Sequence, residues 1–284
     1  MTRAETSAST QSGADRSAEG DWELPAHETT VFAPRLHRYA LVIPVINEGE
    51  RIRNQLKAIA KLAPLVDIII ADGNSTDGSL DADFLVSQSV RALLVKTGSG
   101  RLGAQLRMAY AWALHEGYEG IVTMDGNGKD GADAIARFVD MLEKGYDLVQ
   151  GSRYVAGGQA INTPLDRYLA SRLLHAPLLS LAGGKWYTDT TNGFRAYSAR
   201  FLRDSRVQPF RSIFDRYALL FYLSVRAPQL GYRVIEIPVE RRYPAGMPPP
   251  SKIAGWRGRF DMLGELAAVA RGAFHPNRSR RSRN

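Results

Sequence analysis

The chain has 284 residues, a formal charge of +8, 44% hydrophobic residues and no cysteine. The length suffices for one large α/β unit with trimmings or two small ones, and the apolar fraction supports a real core. Without cysteine, disulfides, thiolate metal sites and cysteine nucleophiles are excluded. A reducing cytosol fits that composition.

No apolar run reaches the roughly 18–20 residues that a membrane span needs. The N-terminus lacks the apolar core of a signal peptide. The basic excess is uneven, because residues 1–35 lean acidic while the end, HPNRSRRSRN, carries four arginines and no acid. Such a tail can meet nucleic acid, anionic lipid or nothing. The expected location is cytoplasmic, with peripheral contact at the inner face of the membrane through the C-terminal helix and this tail.

In chain order, residues 1–36 are rich in Ser, Thr, Ala, Glu and Gly without periodicity and read as a disordered leader. The run YALVIPV from Tyr39 is a strand buried on both faces. It ends at Ile46-Asn47-Glu48-Gly49-Glu50, and a helix follows with Ile52, Leu56, Ile59 and Leu62 on one side, closed by Pro64. A second buried strand, Asp67 to Ala71, delivers Asp72-Gly73-Asn74-Ser75-Thr76-Asp77-Gly78. A weaker strand, Ala92 to Val95, leads to Gly98-Ser99-Gly100-Arg101-Leu102-Gly103, and a helix then runs to about His115. Bare N–H groups at such a helix start attract anions, although no Walker Lys-Ser/Thr follows.

The central strand, Ile121 to Met124, opens onto Asp125-Gly126-Asn127-Gly128-Lys129-Asp130. Oxygen donors one residue apart at a strand end suit a hard cation that also holds a diphosphate, and Gly126 and Gly128 allow close approach. The same pattern also suits a plain turn in which Asp130 caps the next helix. A helix from Ala132 to Lys144, a strand Leu148 to Gln150 and the turn Gly151-Ser152-Arg153 follow. This alternation predicts an α/β fold with a mostly parallel sheet, helices on both faces and the strand-end acids on one edge.

Beyond Gly157-Gly158 the pattern is helical from Pro164 to Leu181, kinked or divided at Pro177. Thr188 to Arg195 reads as a polar loop, Asp215 to Arg226 as a helix, and Tyr232 to Pro238 as a strand. Arg241 to Lys252 reads as a Pro- and Gly-rich flap, and Trp256 to Phe274 as a helix with Phe260, Leu263, Leu266, Ala267 and Ala270 along one side. His175, on an apolar stretch, reads as a core histidine.

Five motifs in this order resemble the family 2 glycosyltransferases, especially the dolichyl/polyprenyl-phosphate mannose synthase-like branch. They are Ile43-Pro44-Val45-Ile46-Asn47-Glu48, Asp72 to Gly78, Met124-Asp125-Gly126-Asn127, Gly151-Ser152-Arg153-Tyr154 and Asn192-Gly193-Phe194-Arg195. The resemblance implies a GT-A (Rossmann-like) domain over residues 37–252 with C-terminal acceptor-side helices; beyond it, residues 253–274 read as an amphipathic helix and 275–284 as a basic disordered tail. It implies a UDP- or GDP-linked sugar donor, held by Pro44, Asn47, Glu48, Asp72, Gly73, Arg101, Asp125, Gly126 and Asn127. Glu48 and Asp72 would hold the base and ribose. Asp125 and Asn127, on the family's Asp-x-Asp, would grip the diphosphate through Mg²⁺ or Mn²⁺. Arg153 and Arg167 would meet the acceptor phosphate, with Arg195 and Lys252 as further anion contacts.

The chain also departs from the family. Asn127 replaces an acid, Lys129 puts an ammonium beside Asp125, and Val45-Ile46 replaces the usual pair before Asn-Glu. The family's catalytic base is missing, and Asp189 is the nearest candidate. A phosphate acceptor is already anionic and needs no base; it needs arginines, of which this half offers Arg153, Arg167, Arg172 and Arg195. The expected activity is an inverting transfer of sugar to a polyprenyl phosphate. The alternative is a soluble transferase with a hydroxyl-bearing small-molecule or glycan acceptor. A nucleic-acid-binding module is remote, since no aromatics interleave with the basic run.

Overall fold

The computed structural model describes residues 22–62, 65–244 and 255–276, with backbone alone for 255–259. The strands are β1 (His27–Val31), β2 (Tyr39–Val45), β3 (Asp67–Asp72), β4 (Val90–Lys96), β5 (Gly120–Thr123), β6 (Leu148–Ser152), β7 (Gln159–Ile161), β8 (Arg195–Ser198), β9 (Val234–Pro238) and β10 (Glu240–Arg242). The helices are α1 (Glu50–Ile59), α2 (Ala82–Ser87), α3 (Leu102–His115), α4 (Ile135–Glu143), α5 (Leu165–Leu169), α6 (Ala176–Gly183), α7 (Ala199–Leu202), α8 (Ala218–Gln229) and α9 (Gly255–Ala270). Eight strands form one sheet in the order β1-β4-β3-β2-β5-β8-β6-β9, and β7 and β10 form a small parallel pair.

Strands β4, β3, β2 and β5 are parallel, which a chain alternating strand and helix produces by right-handed crossovers. Alternation along each strand feeds two cores. Ala40 and Val42 of β2 face one side with Ile69 and Ala71, while Leu41 and Ile43 face the other with Ile68 and Ile70. The first core is closed by α3, α6, α8 and α9 through Leu106, Tyr110, Leu179, Leu219 and Leu266, and the second by α1, α2 and α4 through Ile52, Leu56, Phe84 and Phe138.

Two strands break the parallel rule. β8 runs antiparallel between β5 and β6, so its first residue, Arg195, lies at the edge where β5 and β6 end. β1 runs antiparallel to β4 and lies within the leader expected over residues 1–36. Trp22 packs against Phe210 with tilted rings whose centroids are 4.1 Å apart, so residues 22–36 carry tertiary contacts. β1 is held by backbone pairing rather than by apolar burial, which a composition-based reading does not detect.

The stretch from Pro164 to Leu181 is divided, as the position of Pro177 suggested: a π-helical segment, Ala170–His175, separates α5 from α6. Pro177 has no N–H to give the preceding turn, and a π turn just before it absorbs the interruption. Two further expectations are corrected. Asp215 to Tyr217 lies outside α8, and Arg241 to Tyr243 is not flap, because β10 pairs with β7 and both Arg241 and Tyr243 are buried. The rest of the expected flap, including Lys252, lies outside the described residues except for Pro244.

The start of α3 passes so close to the 214–216 turn that a Cβ on Gly103 would sit 2.5 Å from the Phe214 carbonyl oxygen and 2.8 Å from that of Arg216. Gly103→Ala is expected to cost about 1–3 kcal/mol by overpacking, read as a lower urea midpoint with unchanged slope. An unchanged midpoint would show that this turn is not tightly packed.

Candidate active site

The carboxyl edge of the parallel strands gathers the expected residues around one turn. Gln55 of α1 fixes it from below: its amide donates to the Asp125 carbonyl at 2.9 Å and its oxygen accepts the Gly128 N–H at 2.8 Å. Gly126 donates to the Pro44 carbonyl, and a Cβ there would lie 2.9 Å from that oxygen. Across the turn, a Cβ on Gly193 would lie 2.5 Å from Asp125 Oδ1. The strand-end loops of β2 and β3 are latched together, since Asn47 Oδ1 accepts the Thr76 N–H at 2.8 Å and Gly73 donates to Val45 at 2.7 Å. Gln105 ties the same strand ends by donating to the carbonyls of Val45 and Ala71. Asp72 is buried and accepts from Ser75, and Glu48 pairs with Arg51 at 2.9 Å.

Asp125 faces a cation that sequence reading missed. Arg241 donates to Asp125 Oδ2 at 3.0 Å and to Asp130 Oδ2 at 2.6 Å, and is itself buried. Lys129, the expected ammonium near Asp125, feels that carboxylate's charge and packs over the Tyr243 ring at 5.2 Å. Burial, together with Arg241, pushes the Lys129 ammonium below its ordinary range. Burial would raise the Tyr243 phenol, yet the charges of Arg241 and Arg153 and a bond from Arg167 bring it below its ordinary value. A field that favours an anion therefore surrounds Tyr243.

The Asp125 carboxylate and the Asn127 side-chain oxygen fit a hard divalent ion by donor type. The protein alone offers it little, for among the described residues no three His, Cys, Asp or Glu side chains gather into a metal-holding group. The diphosphate and water would complete such a site.

The arginines divide by role. Arg153 uses Nε and Nη2 on Asp189 at 2.7 and 2.9 Å, both side chains being buried, and lines the adjoining cavity. Arg167 reaches Tyr243 Oη at 3.4 Å and lines the same cavity. Arg172 donates to the Thr188 carbonyl at 3.1 Å. Arg195, expected as an anion contact, is a structural clamp: it donates to the carbonyls of Asn192, Leu220 and Thr190 and to Ser224 Oγ. Asp189, expected as the base candidate, is fully buried and receives bonds from Arg153 and Thr191. Burial alone would raise its carboxyl, but the Arg153 charge and these bonds hold it below the ordinary range. A carboxylate so occupied is not placed to take a proton from a substrate.

The glycine-rich loop before α3 is also reassigned. The Asp215 carbonyl accepts the N–H groups of Arg101, Gly103 and Ala104 at 3.0–3.3 Å, so those donors are spent inside the protein. Arg101 itself is exposed.

A cavity of about 490 Å³ opens beside Asp125. Its lining combines Asp125, Arg153, Arg167, Arg241 and Tyr243 with the apolar side chains of Leu174, Leu220, Phe221, Phe260 and Leu263. His175 also lines it.

A mostly parallel sheet with this reversed strand, acids at its carboxyl edge and a cationic cavity beside them defines a GT-A glycosyltransferase fold. Glucosyl-3-phosphoglycerate synthase from Mycobacterium tuberculosis, solved with uridine diphosphate, matches with a TM-score of 0.57 at 18% identity, over 82% of this chain and 79% of that one. The family model "Glycosyl transferase family 2" matches residues 40–206. Polyprenol monophosphomannose synthase of Mycolicibacterium smegmatis is 29% identical over 86% of this chain and 97% of that protein. Undecaprenyl-phosphate mannosyltransferase of Micrococcus luteus is 32% identical over 71% of this chain and 82% of that protein. The chain belongs to glycosyl transferase family 2.

His175 is buried in the cavity wall, and burial lowers its imidazole from 6.5 to about 4. The unfolded chain takes this proton near pH 6.5 and the folded chain only near pH 4, so the associated stability is complete above pH 6.5 and is lost on acidification toward pH 4. Thermal midpoints should fall across this window, and His175→Gln should flatten the fall. Equal slopes in both proteins would show that His175 is not the group responsible.

Proposed function

We propose that the protein transfers a sugar from a UDP- or GDP-linked donor to a polyprenyl phosphate, in one displacement with inversion. The observation that carries this reading is the cavity beside Asp125, whose lining joins Arg153, Arg167 and Arg241 to a set of apolar side chains. A phosphate on a hydrocarbon chain matches both kinds of lining. The names of the two bacterial relatives support the same acceptor and make mannose the first sugar to test.

In this reading Asp125 and Asn127 hold Mg²⁺ or Mn²⁺, which would neutralise charge on the leaving diphosphate. Arg153, fixed by Asp189, offers its outer edge to the acceptor phosphate, and Arg167 closes on the same group from α5. Their work is to position an anion that already carries its nucleophilic oxygen, and orientation of this kind supplies much of a transfer rate. Glu48, Asp72 and the latched loops around Asn47 and Gly73 serve the nucleoside end.

Incubation with labelled GDP- or UDP-mannose and undecaprenyl phosphate should carry label into the organic phase. Asp125→Ala should lower this by about 10²-fold or more, the scale of losing one electrostatic contact to the reacting group. Arg167→Ala should depress transfer more than donor hydrolysis. A hydroxyl acceptor would instead need a base, for which Asp166 in the cavity lining is the candidate. An essential Asp166 with no lipid product would establish that second reading.

No helix among the described residues is long and apolar enough to cross a membrane. The membrane contact is assigned to α5, the π-helical segment and α9 rather than to the tail alone. Leu165, Leu169 and Leu173 repeat every four residues and are exposed, the outer two by 70% and 72%, and Phe260 is 67% exposed while lining the cavity. Exposed apolar residues in such a row mark an interaction surface. Leu165→Ser with Leu173→Ser should reduce co-flotation with anionic vesicles while leaving the thermal midpoint in place; undiminished flotation would reject this surface.

A further inference from the structure

Arg241 stands at the place where a family 2 enzyme is expected to carry a metal. Its guanidinium fork spans two acids, Asp125 at 3.0 Å and Asp130 at 2.6 Å, and it is buried with both ends engaged. The backbone holds it there from two sides. β10 pairs with β7, and Arg241 also bridges Asp130 directly. Arg242 adds a third tie by donating its N–H to the Lys129 carbonyl at 2.8 Å.

Without a metal, Arg241 and Lys129 already stand against Asp125 and Asp130, and Arg153 and Arg167 add positive charge nearby. A divalent ion on Asp125 would add two positive charges beside two buried cations. Asn127 contributes an oxygen but no charge to oppose them. One Asp125 oxygen is already committed to the guanidinium, and a planar fork held bidentately across two carboxylates is not lightly displaced.

We propose that Arg241 is the resident cation of the Asp125 site, and that a divalent ion binds there only by displacing it from Asp125. Metal binding and the Arg241–Asp125 ion pair then exclude each other. A nucleoside diphosphate relieves the competition, because its phosphates offer the released guanidinium another anion. Metal and nucleotide therefore strengthen each other's binding by the same factor, as linkage requires. The competition involves only the protein, the metal and a nucleotide, so it stands or falls separately from the acceptor assigned above.

The test is a Mn²⁺ titration at neutral pH, following free Mn²⁺ by electron paramagnetic resonance, with no sugar donor present. Wild type should bind Mn²⁺ weakly alone and more tightly with UDP or GDP. Arg241→Gln should bind Mn²⁺ alone about tenfold tighter or more, the scale on which groups around a metal site shift its affinity. It should also lose most of the strengthening by nucleotide. Arg241→Lys keeps a charge on β10, but one ammonium cannot grip both acids as the fork does, so it too should bind Mn²⁺ more tightly than wild type. Should the glutamine variant fail to fold by circular dichroism, the lysine variant decides alone. Folded variants that bind Mn²⁺ no tighter than wild type, or not at all, would overturn the proposal.

Discussion

Ionisable side chains withdrawn from water at or beside the carboxyl edge of the sheet include Lys129, Asp130, Arg153, Asp189, Arg195 and Arg241. Dehydrating each costs several kcal/mol, and the edge tolerates it only because nearly all are tied to named partners. Arg153 has Asp189, Arg241 has Asp125 and Asp130, and Arg195 has backbone carbonyls. Apolar residues of similar size would often be as stable or more so. Charge kept at such cost at a strand edge is the signature of a site that must handle charge.

The loop from Thr188 to Phe194 transmits this arrangement through the molecule. β8 enters the sheet between β5 and β6 in the opposite direction, so the loop before it must pass over their ends. Glu236 on β9 accepts the N–H groups of Thr188 and Asp189 at 2.8–3.0 Å and holds the loop down. Asp189 is then placed under Arg153, and Gly193 is pressed against Asp125. A single loop thus sets both the Arg153 guanidinium and the space around the central carboxylate.

Much of the fold was legible because its strands are buried on both faces. YALVIPV and DIIIA are too apolar for anything else, and the glycine and aspartate turns after them mark the strand ends. What escaped was short or distant. RAYS of β8 and ERR of β10 are too brief to show a period, and β1 is polar. The ion pairs join residues 36 and 116 positions apart in sequence, Arg153 with Asp189 and Arg241 with Asp125, and no local pattern encodes such partners. For the same reason Asp189 looked like a base and the loop before α3 like a phosphate cradle. The Asp215 carbonyl that fills that cradle is more than a hundred residues further along the chain, and a backbone atom leaves no mark in a sequence.

The cavity lining joins two kinds of side chain, each unselective alone. The wall of Leu174, Leu220, Phe221 and Leu263 would accept any alkyl group, and the arginines would accept any phosphate. Tyr243 belongs to the charged part of the lining. Its ring lies within reach of Lys129, Arg167 and Arg241, and its phenol is brought below its ordinary value despite burial. The positive field therefore persists in a cavity that also carries apolar lining, where low polarity leaves it poorly screened. Water is a poor competitor on the apolar side, and a free phosphate ion gains nothing there. A ligand that carries its charge on the end of a hydrocarbon chain satisfies both surfaces, and the proposed lipid phosphate is the simplest molecule of that kind.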